Sequence, residues 1–344
     1  MILRGLIRAF SPLHIGTIGA GNYHPTLNYI PARTLRGMLG NYLFHTDSEL
    51  CKTLGITEYN GGKVVFKPAL PTGSVASPVI LSWCKGCALL IEERKGECSE
   101  CLQEGKGKGG FMQKTSYDEK KFKPPDMKLR IDTKCPITRR GHTSPSDRYA
   151  LAPYNIGALA AGAEFDFRCL VEDAYVDRVK EALKEAGIFC GLGGFRSKGY
   201  GLVEFAFDTA DKEEEYIAQR TSELEDSTLL MVLNSEAIFV DSGRYAIGFK
   251  EALLERDLGT VTITKQKYTE GRARGWMIER SRGEGTKKGY GLDRIVPATG
   301  TGSSALLNVE ARKAAEAELN GIGDWKSIYG DVYFRRWEDV IGAK

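Results

Sequence analysis

Two glycine-rich segments of one design stand about 130 residues apart in the chain, Gly191-Leu-Gly-Gly-Phe-Arg-Ser-Lys-Gly-Tyr-Gly201 and Gly321-Ile-Gly-Asp-Trp-Lys-Ser-Ile-Tyr-Gly330. Each follows a helix-like stretch and runs into an apolar, strand-like one. Dinucleotide and nucleoside-triphosphate loops have the opposite order, strand before and helix after, which argues against that class. A single glycine-rich turn need do no more than join a helix to a strand. The shared order Gly-apolar-Gly-x-aromatic-basic-Ser instead suggests one structural unit used twice. In the first copy Gly193, Gly194 and Gly199 keep side chains away so that backbone N–H groups can approach a phosphate, while Arg196, Ser197 and Lys198 supply charge and a hydroxyl. These are the parts of a polyanion clamp.

The flanks of both segments have the periodicities of a repeated α+β unit. Met1–Phe10 has the pattern of a strand, and Pro31 opens a helix through Phe44 whose Leu35, Met38, Leu39 and Tyr42 share one face. Phe165–Leu170 is a second strand pattern, Val176, Val179, Leu183 and Ala186 make a helical stripe, and Leu202–Phe207 returns as a strand. After eight acidic residues between Asp208 and Asp226, countered only by Lys212 and Arg220 and read as a solvated linker or an exposed helix, a strand pattern runs over Thr228–Val240. A helix over Val309–Leu319 and a strand over Val332–Phe334 bracket the second glycine segment. This succession predicts an α+β fold of two tandem ferredoxin-like (RRM-like) βαββαβ modules. The first covers residues 1–207, an acidic linker 208–226, and a degenerate second module 227–344.

Two stretches have the composition of insertions. The segment from Trp83 to Pro125 holds a cysteine cluster and a lysine-rich tail. In Gly271–Gly291, glycines are interspersed with Arg272, Arg274, Arg280, Arg282, Lys287 and Lys288. Both are expected to be mobile without a partner. The basic run, with Arg274 and Arg282, either tracks an RNA backbone or is a solvated loop. Net charge is only +3, but no carboxylate precedes Asp47 while Arg4, Arg8, Arg33 and Arg36 do, so a positive face on the first module is expected.

Cys84-Lys-Gly-Cys87 and Cys98-Ser-Glu-Cys101 are two Cys-x-x-Cys knuckles separated by ten residues. Four thiolates in two such turns suit a closed tetrahedral Zn²⁺ site, which leaves no position for water and is therefore structural. An iron–sulfur site or a redox pair would have the same sequence signature. The other four cysteines, Cys51, Cys135, Cys169 and Cys190, are scattered, as reduced thiols are. With no apolar run of membrane-spanning length and no signal-peptide pattern, the chain reads as cytoplasmic, without a membrane partner.

Between the first strand and the proline-opened helix lies Phe10-Ser-Pro-Leu-His-Ile-Gly-Thr-Ile-Gly-Ala-Gly21, where small residues allow close backbone approach. His14, Tyr23 and His24 can hydrogen-bond or stack on RNA there, or belong to an ordinary surface loop. A histidine pair can also act as general acid and base in metal-independent RNA cleavage.

Pro12-Leu-His-Ile-Gly16, Tyr29-Ile-Pro-Ala-Arg-Thr-Leu-Arg-Gly37, Leu159-Ala-Ala-Gly-Ala-Glu-Phe165 and the segment Gly191–Gly201, in that order, resemble the RAMP superfamily of CRISPR effector subunits. The similarity spans the first module and extends less clearly into the second, through Ala298–Ser304 and the loop at Gly321. It implies that the loop with His14 and the helix with Arg33 and Arg36 frame an RNA path, and that the first glycine segment contacts the guide backbone. A decayed second module is similar to the two-module subunit that caps type III effectors and holds the 5′ handle of the guide RNA, particularly the type III-D form. The implied partners are crRNA, the large subunit and the backbone RAMP subunits, with target RNA met indirectly. Backbone subunits of the family cleave target RNA with an Asp between first strand and helix; this chain has no Asp or Glu from His14 to Pro31. The resulting expectation is a non-catalytic RNA scaffold in antiviral defence. The rivals are a metal-independent guide-processing endoribonuclease using His14 or His24, and a target-cleaving backbone subunit.

Overall fold

The computed structural model describes residues 1–17, 21–56, 62–92, 98, 100–101, 106–107, 109–135, 153–208, 210–225, 228–280, 289–326 and 328–341. Its first sheet is built from β1 (Ile2–Ala9), β2 (Val64–Phe66), β3 (Glu164–Val171) and β4 (Val203–Phe207), with α1 (Ala32–Thr46) between β1 and β2 and α2 (Val176–Phe189) between β3 and β4. The strands lie in the order β4-β1-β3-β2 and every neighbouring pair is antiparallel. Alternation decides which face is buried: in β3, Phe165, Phe167, Cys169 and Val171 point inward in strict period two. On the helices, Leu35, Met38, Leu39 and Leu43 of α1 and Val179, Leu183 and Ala186 of α2 present the matching stripes.

After α3 (Glu213–Leu224) the second sheet repeats the plan. It contains β5 (Leu229–Leu233), β6 (Val261–Lys267), β7 (Ser304–Val309) and β8 (Val332–Arg336), with α4 (Glu251–Leu258) and α5 (Ala311–Asn320). Its order, β6-β7-β5-β8, is again antiparallel throughout and places each strand as in the first sheet. The result is a mixed α+β fold of two such sheets with several smaller ones.

Of the two forms expected for the acidic stretch after Asp208, the helix is found: it is largely α3, mostly exposed but with Ile217 and Leu224 buried, packed on α5, and with Arg220 donating to both oxygens of the buried Glu318 at 2.8 and 3.0 Å. Three expectations change. The run Thr228–Val240 is not one strand, because Asn234 and Ser235 turn the chain to bond with Asp331, and a separate strand Phe239–Asp241 pairs with Arg244–Ala246.

The segment after Trp83 is partly core rather than mobile. All five residues of β5 are buried because both faces of its sheet are covered. Leu229, Met231 and Leu233 meet the helices, whereas Leu230 and Val232 pack with Ile80, Phe111, Met112 and Tyr117.

The basic run also departs from a loop: Glu270–Arg280 and Gly289–Thr299 pair as a long antiparallel hairpin whose base, at Ala273, Val296 and Ala298, joins the core of the first sheet. Arg274 sits in this hairpin opposite Ile295, while Arg282 lies outside the described residues. Among the described residues, no helix is long and apolar enough to cross a membrane.

Candidate nucleic-acid interface

The first glycine segment leaves α2 and crosses, as a strap, the loop that follows β1. Gly191 N–H bonds back to Ala186 O at 2.9 Å, and Leu192 N–H bonds to Gly201 O at 2.7 Å, closing the strap on itself. Gly194 N–H donates to His14 O and Gly201 N–H to Pro12 O, both at 2.9 Å, pinning it to the loop. These contacts are main chain on main chain, which is why glycine is required. A Cβ on Gly193 would stand 2.2 Å from His14 O, with φ at 78°, and one on Gly194 would meet the His14 ring at 3.1 Å. Gly193 and Gly194 are therefore needed by the fold, and both also line the cavity between α1 and the loop after β1. Gly199, with φ at 84° and nothing within 4 Å of its would-be Cβ, is the glycine that remains open. Beside it Arg196, Ser197 and Lys198 form an exposed helical turn.

The second segment repeats this geometry position by position. Gly321 bonds to Ala317 O at 2.7 Å, Ile322 to Gly330 O at 2.9 Å, Asp324 to Ile238 O at 2.7 Å and Gly330 to Glu236 O at 2.8 Å. Phe195 and Trp325, the aromatic position of each copy, both adopt the left-handed conformation, at φ 55° and 59°. The second copy's charged side chains, Asp324 and Lys326, are tied into the fold. Asp324 accepts from Val240 N–H at 2.9 Å, Asp257 accepts from Gly323 N–H at 2.7 Å, and Lys326 pairs with Asp257.

Beside the first strap a cavity of about 700 Å³ opens between α1 and the loop after β1, lined by Ile15, Arg33, Asn41, Phe44, Arg196 and Ile328 among others. Arg33 reaches it while donating to the Tyr329 hydroxyl at 3.2 Å. Arg36, expected beside it as an RNA contact, is instead buried, its Nε donating to Ile56 O at 2.7 Å and a terminal nitrogen to Gly55 O at 3.4 Å. Its charge ties down the turn after the short helix Ser48–Thr53. The positive face expected of the N-terminal arginines is also reduced, since distant carboxylates reach them: Arg4 pairs with Asp211 at 3.1 Å and Arg8 with Glu164 at 2.7 Å. Acid-free sequence does not make an acid-free surface.

His14 is buried and donates from Nδ1 to Gly157 O at 2.7 Å; loss of solvent lowers its pKa. It is thus a neutral element of the strap's seat. Its ring lies 4.9 Å from Phe195. Tyr154, which the sequence pattern did not single out, stands 6.3 Å from Phe195, and Lys198 Nζ lies 4.8 Å from the Tyr154 ring centroid. The strap has two sides, Arg196 toward the cavity and Lys198 toward aromatic rings. No local pattern announces Tyr154: it begins a strand 41 residues before Phe195 and meets it only through the sheet of Leu129–Lys134, Tyr154–Leu159 and Tyr23–His24.

The four knuckle cysteines converge. Cys84 Sγ is 3.4 Å from Cys101 Sγ and Cys87 Sγ is 3.5 Å from Cys98 Sγ, and all four sulfurs lie within 4.8 Å of one another. A tetrahedral ion with metal–sulfur bonds of about 2.3 Å needs sulfurs about 3.8 Å apart, so the cluster can hold one metal ion. Backbone N–H groups, that of Cys87 foremost, hold the Cys84 thiol down to about 6, and those of Cys101 and Glu100 lower Cys98, whereas at Cys87 the Leu89 N–H is outweighed by burial and the Cys98 and Cys84 thiols, and the pKa rises. Among the described residues, Ile91 and the partly buried Leu89 supply the apolar packing around them.

The family model of the RAMP superfamily matches residues 6–204. This chain belongs to the RAMP superfamily. The match begins in β1 and ends in β4, so it contains the first strap and its seat; the second strap lies beyond it. No curated protein sequence matches this RAMP chain. Among solved structures it is similar to a chain of a type III-B Cmr-beta complex bound to cognate target RNA (18% identity, 61% of this chain and 60% of that one, TM-score 0.37). Others are Cmr6 from Pyrococcus furiosus (14%, 60% and 98%, TM-score 0.31) and a Cas6 product complex (12%, 96% and 98%, TM-score 0.42). The RAMP chain spans about three fifths of the length of the first of these. At such scores the likeness carries no residue's role from one protein to another.

Proposed function

We propose that this RAMP protein is a non-catalytic, guide-RNA-binding structural subunit of a type III CRISPR ribonucleoprotein. It clamps the 5′ handle of crRNA and caps the complex in the manner of the type III-D form. The observation that carries the proposal is the first strap, whose turn exposes Arg196, Ser197, Lys198 and the open Gly199, with Arg196 at the cavity that Arg33 also lines and Lys198 on the strap's other side. A single-stranded backbone crossing there meets cations on both sides of the strap. In the second copy of the strap the charged side chains Asp324 and Lys326 are tied into the fold, which supports one clamp per chain. The absence of an acid between His14 and Pro31, together with the buried, carbonyl-bonded His14, supports a scaffold role.

In this reading the two sheets are tandem ferredoxin-like modules, 1–207 and 227–344. The cysteine cluster holds a structural zinc ion in a ribbon, the partners are crRNA, the large subunit and the backbone RAMP subunits, and the setting is cytoplasmic. Purification of the chain from its native host, with sequencing of bound small RNA, tests it: a uniform 5′ end is expected. RNA with random ends, or none, refutes the clamp. Specific cleavage of a repeat RNA by the isolated protein, lost in His24→Ala, would replace it with the endoribonuclease reading.

A further inference from the structure

The far side of the strap, away from the cavity, is aromatic. Phe195 has the rings of His14, His24, Tyr200 and Tyr154 around it at 4.9, 5.6, 6.2 and 6.3 Å. Tyr154 lies within 24° of the Phe195 plane, and His24 stands edge-on to both at 87° and 70°. His24 is exposed, and Tyr154 and Phe195 are half-buried. Lys198, also exposed, bonds to the Tyr154 hydroxyl at the rim of these rings, with Nζ 4.8 Å from the Tyr154 centroid and 5.4 Å from that of Phe195. Among the described residues its contacts are rings and a hydroxyl, with no carboxylate.

Resting on the RNA-binding reading above, we propose that this surface is a stacking site for one unpaired nucleobase of single-stranded RNA. The base lies against the face of Tyr154 with His24 at its edge, while Lys198 moves from the Tyr154 hydroxyl to that nucleotide's phosphate. Three features argue for a base. The half-buried Tyr154 ring, set near-parallel to Phe195, offers a π-face that any base can cover. Lys198 is a flexible, solvent-exposed side chain at the rim of that ring, bonded to its hydroxyl, so it can swing to a phosphate without breaking an ion pair. Finally, the rings and the exposed turn of Arg196–Lys198 are adjacent, so a strand with its phosphates on the turn carries one base onto the rings. Stacking of this kind tolerates any base, and the site is expected to contribute affinity rather than sequence selection.

The probe is a short oligouridylate in which one position at a time carries 2-aminopurine, bound to the full-length protein. With the wild type and with Tyr154→Phe, which keeps the ring, one position should change fluorescence on binding. Tyr154→Ala should abolish that change and weaken binding about ten-fold, within the range of one stacked base. An abasic residue at that position should weaken wild-type binding by a similar factor, and this arm does not depend on how a variant folds. If the oligonucleotide binds but both Tyr154→Ala and the abasic substitution leave affinity unchanged, the stacking site is refuted and the RNA reading stands. If the wild-type chain binds no oligonucleotide, both fall.

Discussion

Gly193 and Gly199 share a left-handed backbone, at φ 78° and 84°, yet should lose very different amounts of stability on replacement by alanine. At either position the β-carbon imposes about 1–2 kcal/mol of backbone strain. At Gly199 nothing else is added, because the space is open. At Gly193 the new carbon falls 2.2 Å from His14 O, against a practical limit of 3.0 Å, so one main chain must move by most of an ångström. That movement stretches the 2.9 Å bond from Gly194 N–H to His14 O, worth about 0.5–1.5 kcal/mol. Gly193→Ala should therefore lose roughly 3 kcal/mol and Gly199→Ala roughly 1 kcal/mol. Urea unfolding followed by circular dichroism reads both, and RNA binding at fixed salt reads the second consequence. Gly199→Ala should remain folded and bind RNA less well, since the proposed path of the RNA phosphates passes that position. Equal unfolding midpoints for Gly193→Ala and wild type would refute the account of the strap as main chain pressed on main chain. Gly323→Ala, with 2.4 Å to Ile238 O, should repeat the stability loss without touching RNA binding.

Purified without chelator, the protein should carry about one Zn²⁺ per chain, and Cys84→Ser with Cys98→Ser should lose the metal and local structure only; metal analysis of folded, zinc-free protein would contradict this. Arg196→Ala with Lys198→Ala should reduce the log–log salt slope of RNA binding by about 1.4, two phosphate contacts at about 0.7 each, whereas Lys326→Ala, already paired with Asp257, should change it little. Lys67 is buried without a hydrogen-bond partner, 3.8 Å from Asp331, and burial pulls its pKa down to about 8 from 10.5. Between these values the unfolded chain holds a proton that the folded one has released, so this group's contribution to stability rises with pH across that window. Lys67→Met leaves Asp331 its 2.8 Å pair with Arg168. It should be more stable than wild type at pH 7, by up to about 3 kcal/mol, with the gap narrowing toward pH 10; parallel stability curves would refute this.

Much of the fold was legible because its periodicities are local. The alternation in β3, the helical stripes of α1 and α2 and the return strand after each glycine segment stand within a residue or two of where the pattern put them. The cysteine knuckles were equally legible, since two short turns fix four ligand positions whatever surrounds them. Arg36 was not. Its spacing on α1 places it beside Arg33, but only the packed turn at Gly55 and Ile56 shows that carbonyls have taken its charge.

By itself, then, the sequence determined the repeated α+β plan, the RAMP-type order of motifs and the cysteine cluster, because each depends on neighbours along the chain. Tertiary structure alone decided what the glycines and charges are for. Gly193 answers to the carbonyl of His14, Arg4 and Arg8 to acids more than 150 residues away, and Lys198 to a tyrosine across a sheet. Whether a residue is free to meet RNA depends on which distant group has already claimed it, and that pairing is created only when the chain packs.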